Sequence, residues 1–282
     1  MSGLAQFSTF HPATGELFAE YPISSDGDVA EAIARARISA TWWSALSFRQ
    51  RRHILLKWNS LLTERINDGV ELIVAESGKP RSDATLEVAL ACEHVAWAAR
   101  NAQFTLRAHH RSPGLLMANM RARVDRVPYG VVGVIGPWNY PIFTPMGSIA
   151  YALAAGNTVI FKPSEFTPAI GLWLASTLQE VLPNHHLLQV VTGAGSVGAA
   201  LITHGVDKIS FTGSTATAKK VAAACVERMI PFVLECGGKD PVLIDKDADL
   251  ERAADHALWS GMSNAGQSCI GAERIYVHHE VS

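Results

Sequence analysis

From residue 131 to residue 234, short runs rich in β-branched residues alternate with longer stretches of helical spacing. This alternation constrains the fold class more strongly than any other feature of the sequence. Strands are predicted at 131–135, 158–161, 187–191, 208–211 and 231–234, and helices at 142–155, 169–182, 197–204 and 215–228. This alternation favours an α/β fold, in which a parallel sheet is covered by helices on both faces. Because such sheets bind ligands outside the carboxyl ends of their strands, we expect a site there.

The first third of the chain has a helical pattern instead. Helices are predicted at 28–46, 48–77 and 81–106, and Gly78-Lys79-Pro80 is typical of a helix that stops before another begins. Residues 115–127 alternate less regularly, and we interpret them as a β-ribbon.

The composition indicates a globular protein with a sizeable core, since 48% of the 282 residues are hydrophobic and 18% are charged. A net charge of −2 gives no reason to expect nucleic acid or an anionic membrane as a partner. Residues 127–161 carry no Asp, Glu, Lys or Arg, but prolines and glycines interrupt them. We therefore expect short buried elements there rather than a membrane helix.

The cysteines and the N-terminus bear on location and metals. The four cysteines lack the spacing of a zinc site or a disulfide framework, which favours a reducing compartment. No secretory signal is read at the N-terminus. We expect a cytoplasmic protein with no metal site.

One thiol and one carboxylate carry the clearest chemical signal. Cys269 follows Gly266-Gln267-Ser268, and Glu235 precedes Cys236-Gly237-Gly238, 269 − 235 = 34 positions upstream. A thiol in a glycine-flanked loop can act as a nucleophile, and a carboxylate beside a Gly-Gly turn can act as a base for water. Together they suggest an acyl group that forms on sulfur and is then hydrolysed.

Two glycine-containing motifs lie where predicted strands give way to helices. The stretch 193–198 matches G-x-G-x-x-G, whose glycines let a pyrophosphate approach backbone N–H groups. No acid stands about 20 residues beyond it, so a plain strand-to-helix turn stays open. In Phe211-Thr212-Gly213-Ser214, the serine either binds a phosphate at a helix start or only caps the helix.

Two further strand ends carry polar groups with two interpretations each. Lys162 and Glu165 can bond ribose hydroxyls, or they form a solvated pair beside a proline turn. Asn139 stands between two prolines and offers a fixed amide that can stabilise an oxyanion, or it is a turn residue.

The order of these motifs resembles the aldehyde dehydrogenase superfamily. The likeness runs from about residue 9 to residue 282 and rests on Pro137-Trp138-Asn139-Tyr140-Pro141, Lys162-Pro163-Ser164-Glu165, Phe211-Thr212-Gly213-Ser214-Thr215, Leu234-Glu235-Cys236-Gly237-Gly238-Lys239 and Gly266-Gln267-Ser268-Cys269. The resemblance implies a Rossmann-like parallel sheet with flanking helices.

The resemblance also implies a reaction, in which a small-molecule aldehyde is oxidised to a carboxylic acid with NAD(P). Cys269 would attack the aldehyde, and the Asn139 side chain with the Cys269 backbone N–H would hold the oxyanion. Hydride would leave for the nicotinamide, and Glu235 would activate the water that releases the acid from the thioester.

By the same resemblance, nine residues would contact the cofactor: Trp138, Lys162, Ser164, Glu165, Gly195, Gly198, Phe211, Gly213 and Ser214. A carboxylate at Glu165 should repel a 2′-phosphate, so NAD is favoured and NADP stays possible. Ala218 departs from the family, which usually has Gly at that place.

Family members are longer than this chain, so the resemblance implies the N-terminal portion of a longer protein with a truncated catalytic domain. It divides the chain into a helical part of the cofactor-binding domain at 1–110, a β-ribbon oligomerisation arm at 111–128, a dinucleotide-binding domain at 129–236 and the start of a catalytic domain at 237–282. A homo-oligomer is expected for the full-length protein.

Three functions therefore stay open. The first is NAD(P)-dependent aldehyde oxidation. The second is thioester or ester hydrolysis without hydride transfer, since Cys269 and Glu235 alone can support it. The third is a catalytically dead fragment that binds the cofactor or pairs subunits.

Overall fold

The computed structural model describes residues 5–282. The helices are α1 (Asp26–Ala45), α2 (Phe48–Glu64), α3 (Ile66–Ser77), α4 (Arg81–Leu106), α5 (Phe143–Ala155), α6 (Pro168–Val181), α7 (Gly195–Thr203), α8 (Thr215–Glu227) and α9 (Leu250–Met262). The strands are β1 (Gln6–Phe10), β2 (Leu17–Pro22), β3 (His109–Arg111), β4 (Ala122–Val124), β5 (Val131–Ile135), β6 (Thr158–Lys162), β7 (Leu188–Val190), β8 (Lys208–Gly213), β9 (Phe232–Cys236), β10 (Asp240–Ile244) and β11 (Ala272–Val277).

A five-stranded parallel sheet in the order β7-β6-β5-β8-β9 forms the centre of the molecule. β5 pairs with β6 on one side and with β8 on the other. β6 and β7 follow β5 on one side of the sheet, and β8 and β9 then lie on the other side of β5. The predicted α/β fold with a Rossmann-like parallel sheet is confirmed. The strand order reverses at β5, where such folds place a ligand crevice.

Each face of the sheet supports its own apolar core, because successive side chains of a strand point to opposite faces. Val159 and Phe161 of β6 pack into a cluster formed with α2 to α6. Ile160, between them, packs into a second cluster with α1, α7 and α8. Burial on both faces explains why these strands read as continuous apolar runs.

The N-terminal helices begin and end where local capping chemistry directs them. Ser25 accepts a hydrogen bond from the Asp28 backbone N–H at 3.1 Å, and the Asp28 carboxylate accepts one from the Ser25 N–H at 2.7 Å. Such capping boxes satisfy amides that a helix start leaves unpaired. Gly78, at φ 68°, ends α3 in the left-handed conformation, and Pro80 precedes α4. The predicted stop at 78–80 is confirmed.

The single helix predicted at 48–77 is wrong, because it divides at Arg65 into α2 and α3. Arg65 has φ −104° and ψ 24°, and its guanidinium pairs with Glu180 of α6 at 2.7 and 2.8 Å. Beyond the break, Gly69 lets α3 lie against the Trp173 ring, which a Cβ there would approach to 3.1 Å. Apolar spacing continues across the break, although Asn67-Asp68-Gly69 directly after it is a local turn signal.

The ribbon predicted at 115–127 is also placed differently. The antiparallel pair joins His109–Arg111 to Ala122–Val124, and Leu115–Met117 form a 3-10 turn between them. Leu115 and Leu116 are 92% and 96% exposed there. Apolar residues on this turn gave the ribbon signal although they do not pair in a sheet.

Three features lie outside the alternating region predicted at 131–234. β1 and β2 form an antiparallel hairpin, and β10 pairs in parallel with β11. α9 packs beside β10 and β11, yet it has no buried residue, and Trp259 on it is 73% exposed.

The uncharged stretch 127–161 folds into β5, α5 and most of β6. Short elements were predicted there from the prolines and glycines that interrupt it. Within residues 5–282, no helix combines the length and apolar character needed to cross a bilayer.

Glu76 is a buried carboxylate whose protonation should make stability depend on pH. Its two oxygens lie 3.0 Å from the Ala169 backbone N at the start of α6, and the Tyr21 hydroxyl donates to it at 3.5 Å. Burial raises the pKa of Glu76 from 4.5 to about 7, although the amides of α6 oppose the shift. The folded chain therefore holds a proton between these pH values that the unfolded chain has released.

Stability from this group is accordingly lost as pH rises from about 4.5 to about 7. At about 1.4 kcal/mol per pKa unit, the loss is about 3 kcal/mol. Glu76→Gln cannot titrate, so its free energy of unfolding relative to wild type should rise by that amount across the window. Urea unfolding at several pH values measures this difference. Glu64→Gln, at an exposed site on α2, is the control, and a pH-independent difference for Glu76→Gln would contradict the prediction.

Candidate active site

The predicted site residues gather at the carboxyl edge of the central sheet. Trp138 and Asn139 follow β5, Lys162 ends β6, Gly213 ends β8, and Glu235 lies one residue before the end of β9. Because all these strands run parallel, their ends meet at one edge. The sequence motifs therefore face one region of the molecule.

The loop after β5 positions the Asn139 amide. Its Nδ2 donates to the Gln267 carbonyl oxygen at 2.7 Å. An amide nitrogen carries two protons, so one N–H of Asn139 stays available for a ligand. The Asn139 backbone carbonyl accepts from Lys79 Nζ at 2.6 Å and from Asn264 Nδ2 at 3.2 Å.

The loop before Cys269 has an unusual backbone. Asn264 and Ala265 both have φ 57°, a left-handed conformation that costs a non-glycine residue about 1–3 kcal/mol. Asn264 is buried, its backbone N–H donates to Asp83 at 2.8 Å, and its side chain donates to the Gln267 carbonyl at 3.3 Å. This bonding holds the strained turn, while the Cys269 side chain stays exposed.

Glu235 and Cys269 lie on segments that contact each other. Glu235 is exposed and pairs with Thr212 across β8 and β9. Three residues later, the Gly238 backbone N–H donates to the Cys269 carbonyl at 3.3 Å. The segments that carry Asn139, Glu235 and Cys269 are thus joined, the first through Gln267 and the second through Gly238.

Lys162 is a buried lysine with one nearby carboxylate. Its Nζ lies 3.2 Å from Glu165 Oε2, and its side chain is 5% exposed whereas that of Glu165 is 41% exposed. Burial lowers the pKa of Lys162, although Glu165 partly opposes the effect. Ser164 is also buried and accepts from the Phe166 backbone N–H at 3.3 Å.

The glycine motif opens α7 as predicted. Gly193 has φ 139°, and a Cβ there would lie 2.6 Å from Val197 Cγ2, so only glycine fits. Around Gly195, the first residue of α7, no atom lies within 4 Å of a built Cβ. Gly198 sits within the helix, 3.4 Å from Ile135 Cδ1 by the same measure. The backbone at Gly195 is therefore open to a neighbouring group.

At the start of α8, Ser214 accepts from the Thr217 backbone N–H at 3.2 Å and so caps the helix. Phe211 is buried, and a Cβ at Gly213 would lie 2.7 Å from its ring. The methyl of Ala218 packs in the core shared with α7, where it fills space inside the fold.

The sequence analysis did not identify the buried polar side chains that support the loops of Asn139 and Cys269. Lys79 and Glu87 form a buried ion pair at 2.6 Å, and Gln267 Nε2 donates to the Ser77 carbonyl at 3.3 Å. In the sequence, Lys79 is a lysine in a turn between two helices, and a lysine at such a place is normally solvated.

Two surface clefts lie elsewhere. One, of about 340 Å³, is lined by Pro128, Gly130 and Val131, and the other, of about 490 Å³, by Val206 and Asp207. These residues precede or begin β5 and β8, so both clefts open at the amino ends of the strands. Ligand sites in parallel sheets lie at the opposite ends, so we do not place the site there.

The arrangement combines an exposed thiol, an amide donor and a carboxylate with open helix starts and a buried ammonium. Such a set can support nucleophilic attack, oxyanion stabilisation and the binding of a phosphate-containing ligand.

Comparison with known proteins agrees with this description. The sequence profile of the Aldehyde dehydrogenase family matches residues 2–282. The chain therefore belongs to the aldehyde dehydrogenase family.

Among its relatives is a probable succinate-semialdehyde dehydrogenase from Sinorhizobium fredii (strain NBRC 101917 / NGR234), whose name specifies NADP(+); it is 38% identical over 279 residues, which are 98% of this chain and 56% of the relative. The crystal structure of an aldehyde dehydrogenase from Brucella melitensis biovar abortus 2308 matches with a TM-score of 0.93 and 34% identity, over 98% of this chain and 57% of that one. The structure of an NADP-dependent glyceraldehyde-3-phosphate dehydrogenase from Bacillus halodurans C-125, complexed with NADP, matches with a TM-score of 0.91 and 34% identity, over 98% and 59%. The chain thus spans little more than half the length of these relatives.

Proposed function

We propose that this chain oxidises an aldehyde to a carboxylic acid with NAD(P), through a thioester on Cys269. One observation carries the proposal: the Asn139 amide is bonded to the Gln267 carbonyl at 2.7 Å, two residues before the thiol. This contact joins a strand-end amide to the nucleophile's loop, as oxyanion stabilisation requires.

In the proposed reaction, the Cys269 sulfur attacks the aldehyde carbon, and the carbonyl oxygen becomes an oxyanion. The free N–H of Asn139 and the backbone N–H of Cys269 donate to that oxygen. A nicotinamide dinucleotide held at the strand ends would supply the hydride acceptor, and loss of hydride from the former aldehyde carbon would leave a thioester on sulfur. The exposed Glu235 carboxylate takes a proton from a water molecule as the water oxygen attacks the thioester carbon. The C–S bond then breaks, which releases the acid and restores the thiolate of Cys269.

The residues at the strand ends fit a dinucleotide. The open backbone at Gly195 and the helix start at Ser214 offer N–H groups to phosphates, and the buried Lys162 supplies positive charge. Glu165, beside Lys162, would bond ribose hydroxyls. Trp138, 45% exposed, would line the nicotinamide side, and Ser164, Gly198, Phe211 and Gly213 complete the proposed set.

The choice between NAD and NADP depends on the pair at Lys162. The Glu165 carboxylate disfavours a 2′-phosphate, whereas the Lys162 ammonium favours one, and two relatives are NADP-dependent by name. We propose that both dinucleotides bind and that Glu165 sets the balance.

Glu165→Gln should therefore raise the preference for NADP over NAD by about 10-fold. The change removes the repulsion between the Glu165 carboxylate and the 2′-phosphate at a partly exposed site. The ratio of kcat/KM for the two dinucleotides measures the preference. Glu64→Gln, which changes an exposed carboxylate on α2, should leave this ratio unchanged. An unaltered ratio in Glu165→Gln would place the 2′-hydroxyl away from this carboxylate.

The proposed function is tested by following NAD(P)H absorbance with a panel of aldehydes that begins with succinate semialdehyde, the substrate named for one relative. We expect NAD(P)H formation by the wild-type chain and none above background in Cys269→Ser. Cys236→Ser is the matched control, because Cys236 is also an exposed thiol at this edge of the sheet.

The same experiment separates the alternatives. Cleavage of p-nitrophenyl acetate that needs Cys269, without NAD(P)H formation from aldehydes, would favour the hydrolase. Dinucleotide binding without either activity would favour a catalytically dead fragment.

A further inference from the structure

The turn between α3 and α4 holds a buried ion pair that the proposed chemistry does not use. Lys79 and Glu87 have fully buried side chains, with Nζ 2.6 Å from Glu87 Oε2. A buried ion pair costs desolvation, and apolar residues of similar volume are often equally stable. Its presence here calls for a reason beyond packing.

The bonds of Lys79 point to that reason. Its ammonium has three donors, and three groups surround it. Besides Glu87, these are the Asn139 backbone carbonyl at 2.6 Å and the face of the Tyr140 ring, whose centroid lies 4.6 Å away. Two of the three belong to the loop that carries the proposed oxyanion donor.

Glu87 contacts the other end of the same loop. Its Oε1 accepts from the backbone N–H groups of Ile142 and Phe143, at 3.0 and 3.2 Å. These amides stand at the start of α5, which follows the loop. The ion pair therefore bonds to the loop on both sides of Pro141.

The loop, once held, contacts the loop of the nucleophile. The Asn139 side chain donates a hydrogen bond to the Gln267 carbonyl. The Asn139 backbone carbonyl accepts hydrogen bonds from Asn264 and from Lys79.

We infer that Lys79, supported by Glu87, is a positioning residue: by holding the Asn139 carbonyl it aims the Asn139 amide at the oxygen of the substrate on Cys269. The inference rests on the proposed function, since it assigns Lys79 a part in that site's geometry. Lys79 bonds to Glu87 and to the Asn139 carbonyl, so it would act through the loop rather than on the reacting atoms.

The test uses the full chain and a variant that removes the charges while keeping the fold. In Lys79→Met with Glu87→Gln, the glutamine oxygen can still accept from the α5 amides, but nothing replaces the ammonium at the Asn139 carbonyl. Lys57→Met, an exposed lysine on α2, is the matched control. Circular dichroism and urea unfolding confirm that each variant is folded.

For aldehyde oxidation, the double variant should lose about 10- to 100-fold in kcat with the aldehyde KM changed less than about 3-fold, because the oxyanion donor acts in the transition state. In an Asn139→Ala background, the same double change should cost less than about 2-fold, since no amide is left to aim. An unchanged kcat in a folded double variant, or an equal loss with and without Asn139, would overturn the inference.

A second measurement keeps the inference independent of activity. Amide hydrogen exchange in the segment 136–143 should quicken at least 10-fold in the double variant and stay unchanged in Lys57→Met. If the wild-type chain oxidises no aldehyde, the proposed function fails, and this exchange measurement alone decides whether Lys79 holds the loop. Equal exchange in wild type and double variant would overturn the inference.

Discussion

Arg51→Met is expected to lower the free energy of unfolding by about 2–4 kcal/mol, a large effect for one residue on the second helix. Arg51 is 5% exposed, and its guanidinium donates to backbone carbonyls rather than to a carboxylate. It donates to Ala154 at 3.2 Å, to Trp43 at 3.5 Å and to Leu46. The last turns of two helices, α1 and α5, thus share one cation.

The physical reason is that helix ends leave carbonyls unpaired and carry partial negative charge. Arg51 satisfies several such carbonyls at once, and hydrogen bonds to a charged group contribute about 1.5–3 kcal/mol each. Burial lowers the pKa of Arg51, which reports the opposing cost of desolvation. Methionine removes that cost but leaves the Ala154 and Leu46 carbonyls without this donor. The Trp43 carbonyl keeps its bond from the Leu46 N–H, so the net effect is smaller than the sum of the bonds.

Urea unfolding of Arg51→Met beside Arg52→Met measures this contribution. Arg52 is the next residue on α2 and is exposed, so its replacement should change stability by less than about 0.5 kcal/mol. Equal losses in the two variants would show that the carbonyl contacts of Arg51 contribute little.

The second large effect is expected from Lys79→Met alone, which should destabilise the chain by about 3–5 kcal/mol. The change leaves the buried Glu87 carboxylate without its counter-charge, and Glu87 must then take up a proton or stay uncompensated. The added change Glu87→Gln removes this problem. The double variant should therefore recover most of the loss and remain about 1–2 kcal/mol below wild type.

A double-mutant cycle with Lys79→Met, Glu87→Gln and the double variant gives the interaction free energy of the pair. We expect at least about 2 kcal/mol, because the two side chains touch and are fully buried. Additive losses would mean that the two charges do not depend on each other in the folded chain, contrary to the geometry.

Much of the fold could be predicted from the sequence because it depends on local patterns. The five central strands lie within two residues of their predicted places, since short β-branched runs between helical stretches are typical of strands. β5 and β6, which are buried along their whole length, give the clearest such runs. Gly78 and Pro80 marked a helix boundary through backbone conformation alone.

Other parts depend on contacts between distant residues. At the break, Arg65 pairs with Glu180, 115 positions away, and the periodicity of apolar residues does not register the break. The short pairing of β3 with β4 also escaped prediction, because the exposed apolar turn between them looked like part of a strand.

The candidate site divides in the same way. Asn139, Lys162, Ser214 and Glu235 were placed at strand ends by motif and pattern, and the structure brings those ends to one edge. The contact of Asn139 with Gln267, 128 positions apart, could not be read from spacing. Nor could the role of Lys79, because burial of a lysine is decided by the elements packed around it.

In the proposed reaction, Cys269 and Glu235 act in sequence on one acyl group. The most direct measurement is mass spectrometry of the peptide that contains Cys269, after acid quenching of a reaction with an aldehyde and NAD(P). Glu235→Gln should slow the step that consumes the thioester. In this variant we expect Cys269 to gain the mass of the acyl group and NAD(P)H to form in a single burst. An unmodified Cys269 in that variant, with NAD(P)H still formed at the wild-type rate, would contradict it.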